Sequence, residues 1–199
     1  MALVWRLPQG AELGQAIVLP ILTTIVYAFV WADASDTPVS PSAVWERCLE
    51  RSWAVIVIDF VYTFVASLGL GYALSADPIG VVTGIVGIVL SIVLVFADAS
   101  ATVDDDVNAW SVIPHAFVRS ASMAWRAAIF PRALTIFAIE LLVLAAQSAL
   151  AIGLERVHVP QAVFWSEVLL NTLTLPPLSA LIVLVYRDAT VQKGADVAH

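Results

Sequence analysis

Two carboxylates interrupt otherwise apolar stretches of the chain, and they are the residues best placed to do chemistry. Asp59 lies six residues after Trp53, and Glu140 lies seven residues after Ala133. If each stretch is a helix that crosses a bilayer, a rise of about 1.5 Å per residue puts both acids roughly 10 Å from the same membrane surface. Charge at that depth is unfavourable. We expect a shared polar site for a proton, a cation or a cationic headgroup. In the alternative, each acid hydrogen-bonds a neighbouring helix or reaches the interface.

A second polar pair lies near the opposite end of the last apolar stretch. Glu167 and Asn171 are one helical turn apart, so their side chains lie on the same face of a helix. They can form a shallow polar lining. A hydrogen bond that packs one helix against another is the alternative explanation.

A short pattern occurs three times: Val, an aromatic residue, any residue, Asp, Ala, then Ser or Thr. The copies occupy residues 30–35, 95–100 and 185–190, with their acids at Asp33, Asp98 and Asp188. Each copy follows an apolar stretch. We expect interfacial markers that cap the first turn of the next segment with help from Ser35, Ser100 and Thr190. The alternative is a ring of three acids that binds a cytoplasmic cation.

Other chemical signatures are missing from the sequence. Cys48 is the single cysteine, which excludes an intramolecular disulfide and a cysteine-based metal cluster. The three histidines fall in separate segments, so they predict no zinc site; they are His115, His158 and His199. Residues 104–106, three consecutive aspartates, predict a solvated loop. No phosphate-binding glycine loop, zinc-protease motif or nucleophile elbow is found, and we predict a protein that is not an enzyme and needs no cofactor or metal.

The composition identifies the class of protein. Of 199 residues, 61% are hydrophobic and 13% are charged, against about 25% charged in soluble domains. The net charge of -7 argues against nucleic acid as a partner, because such binding neutralises phosphates with basic side chains. The lipid bilayer is the expected partner. One lysine against eight arginines, with ten aspartates and six glutamates, resembles the composition of proteins from salt-loving archaea.

Five apolar stretches are long enough to cross a membrane. They predict an all-α integral membrane bundle with spans at residues 15–32, 53–76, 79–97, 133–153 and 162–186. Asp77 and Pro78 form a tight turn between the second and third spans. Small residues suit close packing of that hairpin; they are Ser67, Gly69, Gly71, Gly80, Gly84 and Gly87. The same faces predict self-association or a membrane-protein partner.

Two amphipathic segments, residues 41–51 and 107–126, predict helices that lie in the headgroup layer; irregular polar loops are the alternative. Each segment contains an aromatic residue with Arg two residues later, and Trp follows six residues after the Arg; the copies are Trp45, Arg47 and Trp53, and Phe117, Arg119 and Trp125. Together with the aspartate pattern, this spacing predicts one membrane domain with an internal repeat. Residues 1–40 form a half unit, and residues 41–106 and 107–199 form two full units.

The basic residues predict the orientation in the membrane. With five spans, seven of nine basic residues fall on one side, and only Arg6 and Arg156 fall on the other. The positive-inside rule makes the richer side cytoplasmic. The N-terminus is then outside a cytoplasmic membrane and the C-terminus inside. Ala32-Asp33-Ala34 also resembles a signal-peptide cleavage site, but the same motif follows two later spans, which favours an uncleaved first span.

The C-terminal motifs resemble those of a known group. These are Leu175-Pro176-Pro177-Leu178, Val185-Tyr186-Arg187-Asp188 and Lys193-Gly194-Ala195-Asp196. They are similar to a broad prokaryotic group of multispan proteins that resemble the membrane domain of some glycerophosphoryl diester phosphodiesterases. The resemblance implies a membrane module with an accessory or scaffold role and no catalytic residues. A small ion- or proton-linked carrier that uses the intramembrane carboxylates is the alternative function.

Overall fold

The computed structural model describes residues 8–35, 40–73, 77–105 and 107–197. Within these ranges the chain is helical and contains no strand, which confirms the predicted all-α class. The helices are α1 (Pro8–Ala34), α2 (Pro41–Ala73), α3 (Pro78–Leu94), α4 (Ala97–Val103), α5 (Val112–Ala124), α6 (Phe130–Arg156) and α7 (Ala162–Val197). A single 3-10 turn, Ala109–Ser111, precedes α5. Arg6, Asp106 and His199, which the sequence singled out, lie outside the described residues.

Five helical segments are long and apolar enough to cross a membrane. Four lie in α1, α2, α6 and α7, and the fifth combines α3 and α4 as Pro78–Val103. All five predicted spans overlap these segments, which supports a multi-pass membrane protein. Large apolar side chains such as Phe60 and Leu142 point outward and are about 70% exposed, as expected where lipid rather than protein surrounds a helix.

Glycines hold α2 and α3 together in a hairpin. Asp77 caps α3, since its Oδ2 accepts the Gly80 N–H at 3.3 Å. A Cβ on Gly87 would lie 2.5 Å from Gly69 Cα, and one on Gly84 would lie 2.2 Å from Ala73 N. The two backbones therefore touch, as predicted. Two of the predicted small residues do not take part, because Gly71 and Ser67 are exposed on the other side of α2.

The hairpin gives a matched pair of substitutions. Gly84→Ala forces its new methyl group into the α2 backbone, and we expect it to lower the free energy of unfolding by about 1–3 kcal/mol, as overpacking does elsewhere. Gly71→Ala meets no atom within 4 Å and should not lower it. Unfolding by SDS titration in mixed micelles measures both. Equal loss in the two variants would contradict the close packing at Gly84.

The two predicted amphipathic segments fold differently. Residues 41–51 do not form a separate interfacial helix, because they are the first three turns of the continuous α2. Part of the second segment forms the separate α5, whose buried residues Val112, Ala116, Ser120 and Met123 follow helical spacing along one face. The placement of α5 in the headgroup layer and the internal repeat stay predictions.

A break at Val95 and Phe96 separates α3 from α4. The fully buried hydroxyl of Ser120 on α5 fills this break. It donates to the Val93 carbonyl at 2.6 Å and accepts the Phe96 N–H at 3.1 Å. Backbone groups left unpaired in apolar surroundings are strongly unfavourable, so α5 stabilises the bend that redirects the chain into α4.

Candidate functional site

A polar cavity of about 280 Å³ lies inside the bundle. Every predicted span contributes to its walls: Thr23 and Tyr27 from α1, Asp59 and Tyr62 from α2, Leu94 and Asp98 from α3 and α4, Glu140 and Gln147 from α6, and Asn171 and Ser179 from α7. Apolar side chains such as Ile58 and Leu178 complete the lining. No lysine, arginine or histidine lines it among the described residues.

Three carboxylates face this cavity from three different helical segments. Asp59 and Glu140 line it together, so the two acids that the sequence placed at similar depth share one space. Asp98 joins them from α4 because the break after α3 turns its segment inward. Its Oδ1 is buried and has no hydrogen-bond partner within the described part of the chain. Unpaired carboxylate oxygens in such surroundings favour a proton or a cation as their partner.

Tyrosine and amide side chains supplement the acids. Tyr62 donates its hydroxyl hydrogen to Glu140 Oε2, which joins α2 to α6 across the cavity. Tyr27 is almost fully buried in the wall. Gln147 Nε2 donates to Asn171 Oδ1 at 2.7 Å and joins α6 to α7. Tyrosine rings are groups that can attract a cation through their π faces, and two of them line the cavity.

The structure separates the other predicted site residues. Asn171 lines the cavity and accepts a hydrogen bond from Gln147 of α6, which is the helix-packing bond given as the alternative for this residue. Glu167 is half-buried and is not among the residues that line the cavity. Asp33 is exposed at the end of α1. Asp188 forms an ion pair with Arg132 at 3.0 Å. The three repeated aspartates therefore form no ring.

The predicted capping role also fails for the three aspartates. Asp188 lies inside the continuous α7, so it caps no helix. Asp98 lies in the first turn of α4, whose N-cap is Phe96 and has no side-chain cap. Asp33 lies in the last turn of α1, and Ser40 caps the next helix, α2, because its Oγ accepts the Ala43 N–H at 3.2 Å. The aromatic residues of the three copies do meet, since Tyr186 lies 6.1 Å from Trp31 and 6.4 Å from Phe96 between ring centroids.

Asp104 is the centre of a second polar cluster, at the end of the bundle beyond α4. It accepts hydrogen bonds from Ser100 Oγ at 2.7 Å and from the Tyr186 hydroxyl at 2.8 Å. His115 Nε2 and Arg119 Nε lie 3.3 and 3.4 Å from the same carboxylate. The side chain is only 13% exposed. The expectation of a solvated loop is therefore wrong for Asp104. The local sequence does not reveal this cluster, because Asp104 is one of several consecutive aspartates and Tyr186 is distant along the chain.

Arginines from the predicted cytoplasmic side gather near this cluster. They bind backbone carbonyls of other segments: Arg47 binds Thr102 at 2.7 Å, Arg51 binds Val107 at 3.3 Å, and Arg126 binds Ala189 at 3.0 Å. Arg47 also pairs with Asp105. One end of the bundle is thus tied together by basic side chains, which agrees with the grouping used for the orientation prediction.

An apolar groove between α1 and α7 adjoins the polar cavity. Its volume is about 370 Å³, and its walls include Leu22, Val26 and Pro176. Asn171 and Leu175 line both the groove and the cavity, so the two spaces are neighbours. Outward-facing residues such as Leu22 leave the groove accessible from the lipid side.

Two further observations concern metal binding at the site and the similarity of the chain to known proteins. No group of three or more metal-ligating side chains with suitable geometry occurs within the ranges that the structure describes. Comparisons of the chain with protein-family models, curated proteins and solved structures find no match. The resemblance to the phosphodiesterase-associated membrane domain therefore stays a prediction.

Proposed function

We propose that this protein is a small membrane carrier that binds a proton or an organic cation in the carboxylate cavity. The observation that supports it is the convergence of Asp59, Asp98 and Glu140, from α2, α4 and α6, on one internal space. Ionisable side chains within a bundle interior mark ion pathways and proton relays in membrane proteins. Binding and movement of a cation require no covalent step, so the proposal keeps the expectation of a non-enzymatic protein.

The elements around the acids suit a carrier. All five predicted spans line the cavity, so a bound cation would be surrounded by the whole bundle. The break between α3 and α4 supplies a discontinuous span whose Asp98 faces the cavity. Discontinuous helices commonly hold the ion or substrate site of transporters. The arginines near Asp104 favour an orientation in which that end of the bundle faces the cytoplasm. The N-terminus would then lie outside a cytoplasmic membrane.

The scaffold alternative has less support. It relied on small-residue faces for self-association, but Gly69 and Gly87 pack against each other, and Gly84 packs against Ala73, inside the α2–α3 hairpin. These glycines are unavailable to a second copy or to a partner helix. The carrier proposal depends on the cavity, which the packing of the helices leaves unfilled.

Flux measurements in proteoliposomes test the proposal. The probes are protons, followed with internal pyranine, and radiolabelled tetramethylammonium, a permanent cation that crosses lipid poorly. We expect protein-dependent movement of at least one probe, and its loss in the double variant with Asp59→Asn and Glu140→Gln. Vesicles with the double variant that move both probes as fast as the wild type, or wild-type vesicles that move neither, would contradict it.

A further inference from the structure

The polar cavity and the apolar groove between α1 and α7 are neighbours, and this arrangement bears on the kind of cation that is bound. The cavity collects three carboxylates and two tyrosines, whereas the groove walls are almost entirely apolar. Asn171 and Leu175 form the boundary between them. A molecule with a cationic head and a hydrocarbon tail would match both spaces at once.

We infer that the ligand is an amphiphilic cation, whose ammonium head binds among Asp98, Asp59 and Glu140 and whose tail lies along the α1–α7 groove. This inference rests on the proposed function and names its substrate class. Charge complementarity favours a cation as the ligand, because the cavity lining contains three carboxylates and no basic side chain. An uncharged or anionic lipid would bring no positive charge to these acids, and Asp98 Oδ1 would stay without a hydrogen-bond partner in apolar surroundings.

The size and chemistry of the walls favour this class over a metal ion. A cavity of about 280 Å³ exceeds the space of a bare ion, and no metal-ligand cluster is found among the described side chains. The tyrosine rings favour an alkylated ammonium, which is weakly hydrated and binds aromatic faces. Entry from the bilayer follows from the groove, since Leu22 and Val18 are about half exposed on the lipid side of α1.

Photolabelling in proteoliposomes tests the inference. The probe is decyltrimethylammonium with a diazirine in its alkyl chain, and mass spectrometry locates the adducts. We expect adducts on α1 and α7 that unlabelled decyltrimethylammonium displaces and decanol does not. Asp98→Asn should reduce labelling by at least about tenfold, because removal of one charge from a buried pair weakens binding by more than that factor. Asp188→Asn, the equivalent acid of another motif copy, should label as the wild type does.

A second pair of variants keeps the test decisive. Leu22→Trp fills the groove and should reduce the α1 and α7 adducts, whereas Leu142→Trp, exposed elsewhere on α6, should not. Labelling that decanol displaces equally, or that persists in Asp98→Asn, would overturn the inference as ordinary lipid contact. If tetramethylammonium or proton flux is then still lost in the Asp59 and Glu140 double variant, the proposed carrier function stands. If the double variant keeps its flux and Asp98→Asn keeps its labelling, both the carrier function and the ligand class are overturned.

Discussion

Asp98→Asn is expected to reduce the cation flux of proteoliposomes by at least about tenfold, because a carboxylate that neutralises a cation in apolar surroundings contributes far more than a neutral amide can. Asp98 lines the cavity with a buried, unpartnered Oδ1. Asparagine keeps the volume and the carbonyl oxygen but loses the charge. The flux of whichever probe the wild-type protein carries is the measurement.

Two acids from the same sequence motif serve as controls. Asp188 is ion-paired to Arg132 at the surface, and Asp33 is exposed at the end of α1. Asp33→Asn and Asp188→Asn should therefore carry the probe at close to the wild-type rate. A loss of flux that is equal in all three variants would mean that the motif matters through a shared structural role, and the special position of Asp98 would be wrong.

Asp104→Asn is expected to give the largest loss of stability, lowering the free energy of unfolding by about 2–4 kcal/mol. The carboxylate receives hydrogen bonds from Ser100 and Tyr186 and lies beside Arg119. An amide presents its own N–H₂ to these donors and removes the negative charge that lies beside the Arg119 guanidinium. Unfolding by SDS titration in mixed micelles measures the difference.

The neighbouring Asp105 provides the control. Its side chain is 80% exposed and pairs only with Arg47 in the described region, and exposed ion pairs contribute about 0–1 kcal/mol. We expect Asp105→Asn to change the free energy of unfolding by less than about 0.5 kcal/mol. If the two variants lose equal stability, the contacts around Asp104 contribute no more than a surface pair does.

Properties that depend on local sequence were predictable. Apolar length alone located the five spans, since a helix in lipid must satisfy its own backbone. The close approach of α2 and α3 followed from Gly84 and Gly87, which repeat on one helical face. Counting residues along two spans placed Asp59 and Glu140 at a common depth, and the structure puts both in the cavity wall.

Properties that depend on contacts between distant segments were not predictable. Asp98 resembles Asp33 and Asp188 in its sequence neighbourhood, yet only Asp98 follows a helix break, and that break depends on Ser120 of α5. The sequence predicts Asp104 as part of an acidic loop, because its hydrogen-bond partner Tyr186 lies 82 residues away along the chain. The sequence pattern also does not reveal that residues 41–51 and the second span form one continuous helix, α2.

The Ser120 hydroxyl has a consequence for biosynthesis. Until α5 has left the ribosome and docked, the Phe96 N–H and the Val93 carbonyl lack the Ser120 hydroxyl as their partner, so the bend into α4 lacks this support. The α2–α3 hairpin needs no later residue for its glycine contacts and can insert as soon as it is made. Asp98 therefore reaches its position only in a later stage of assembly, and the carboxylate cavity is completed after most of the chain is already in the bilayer.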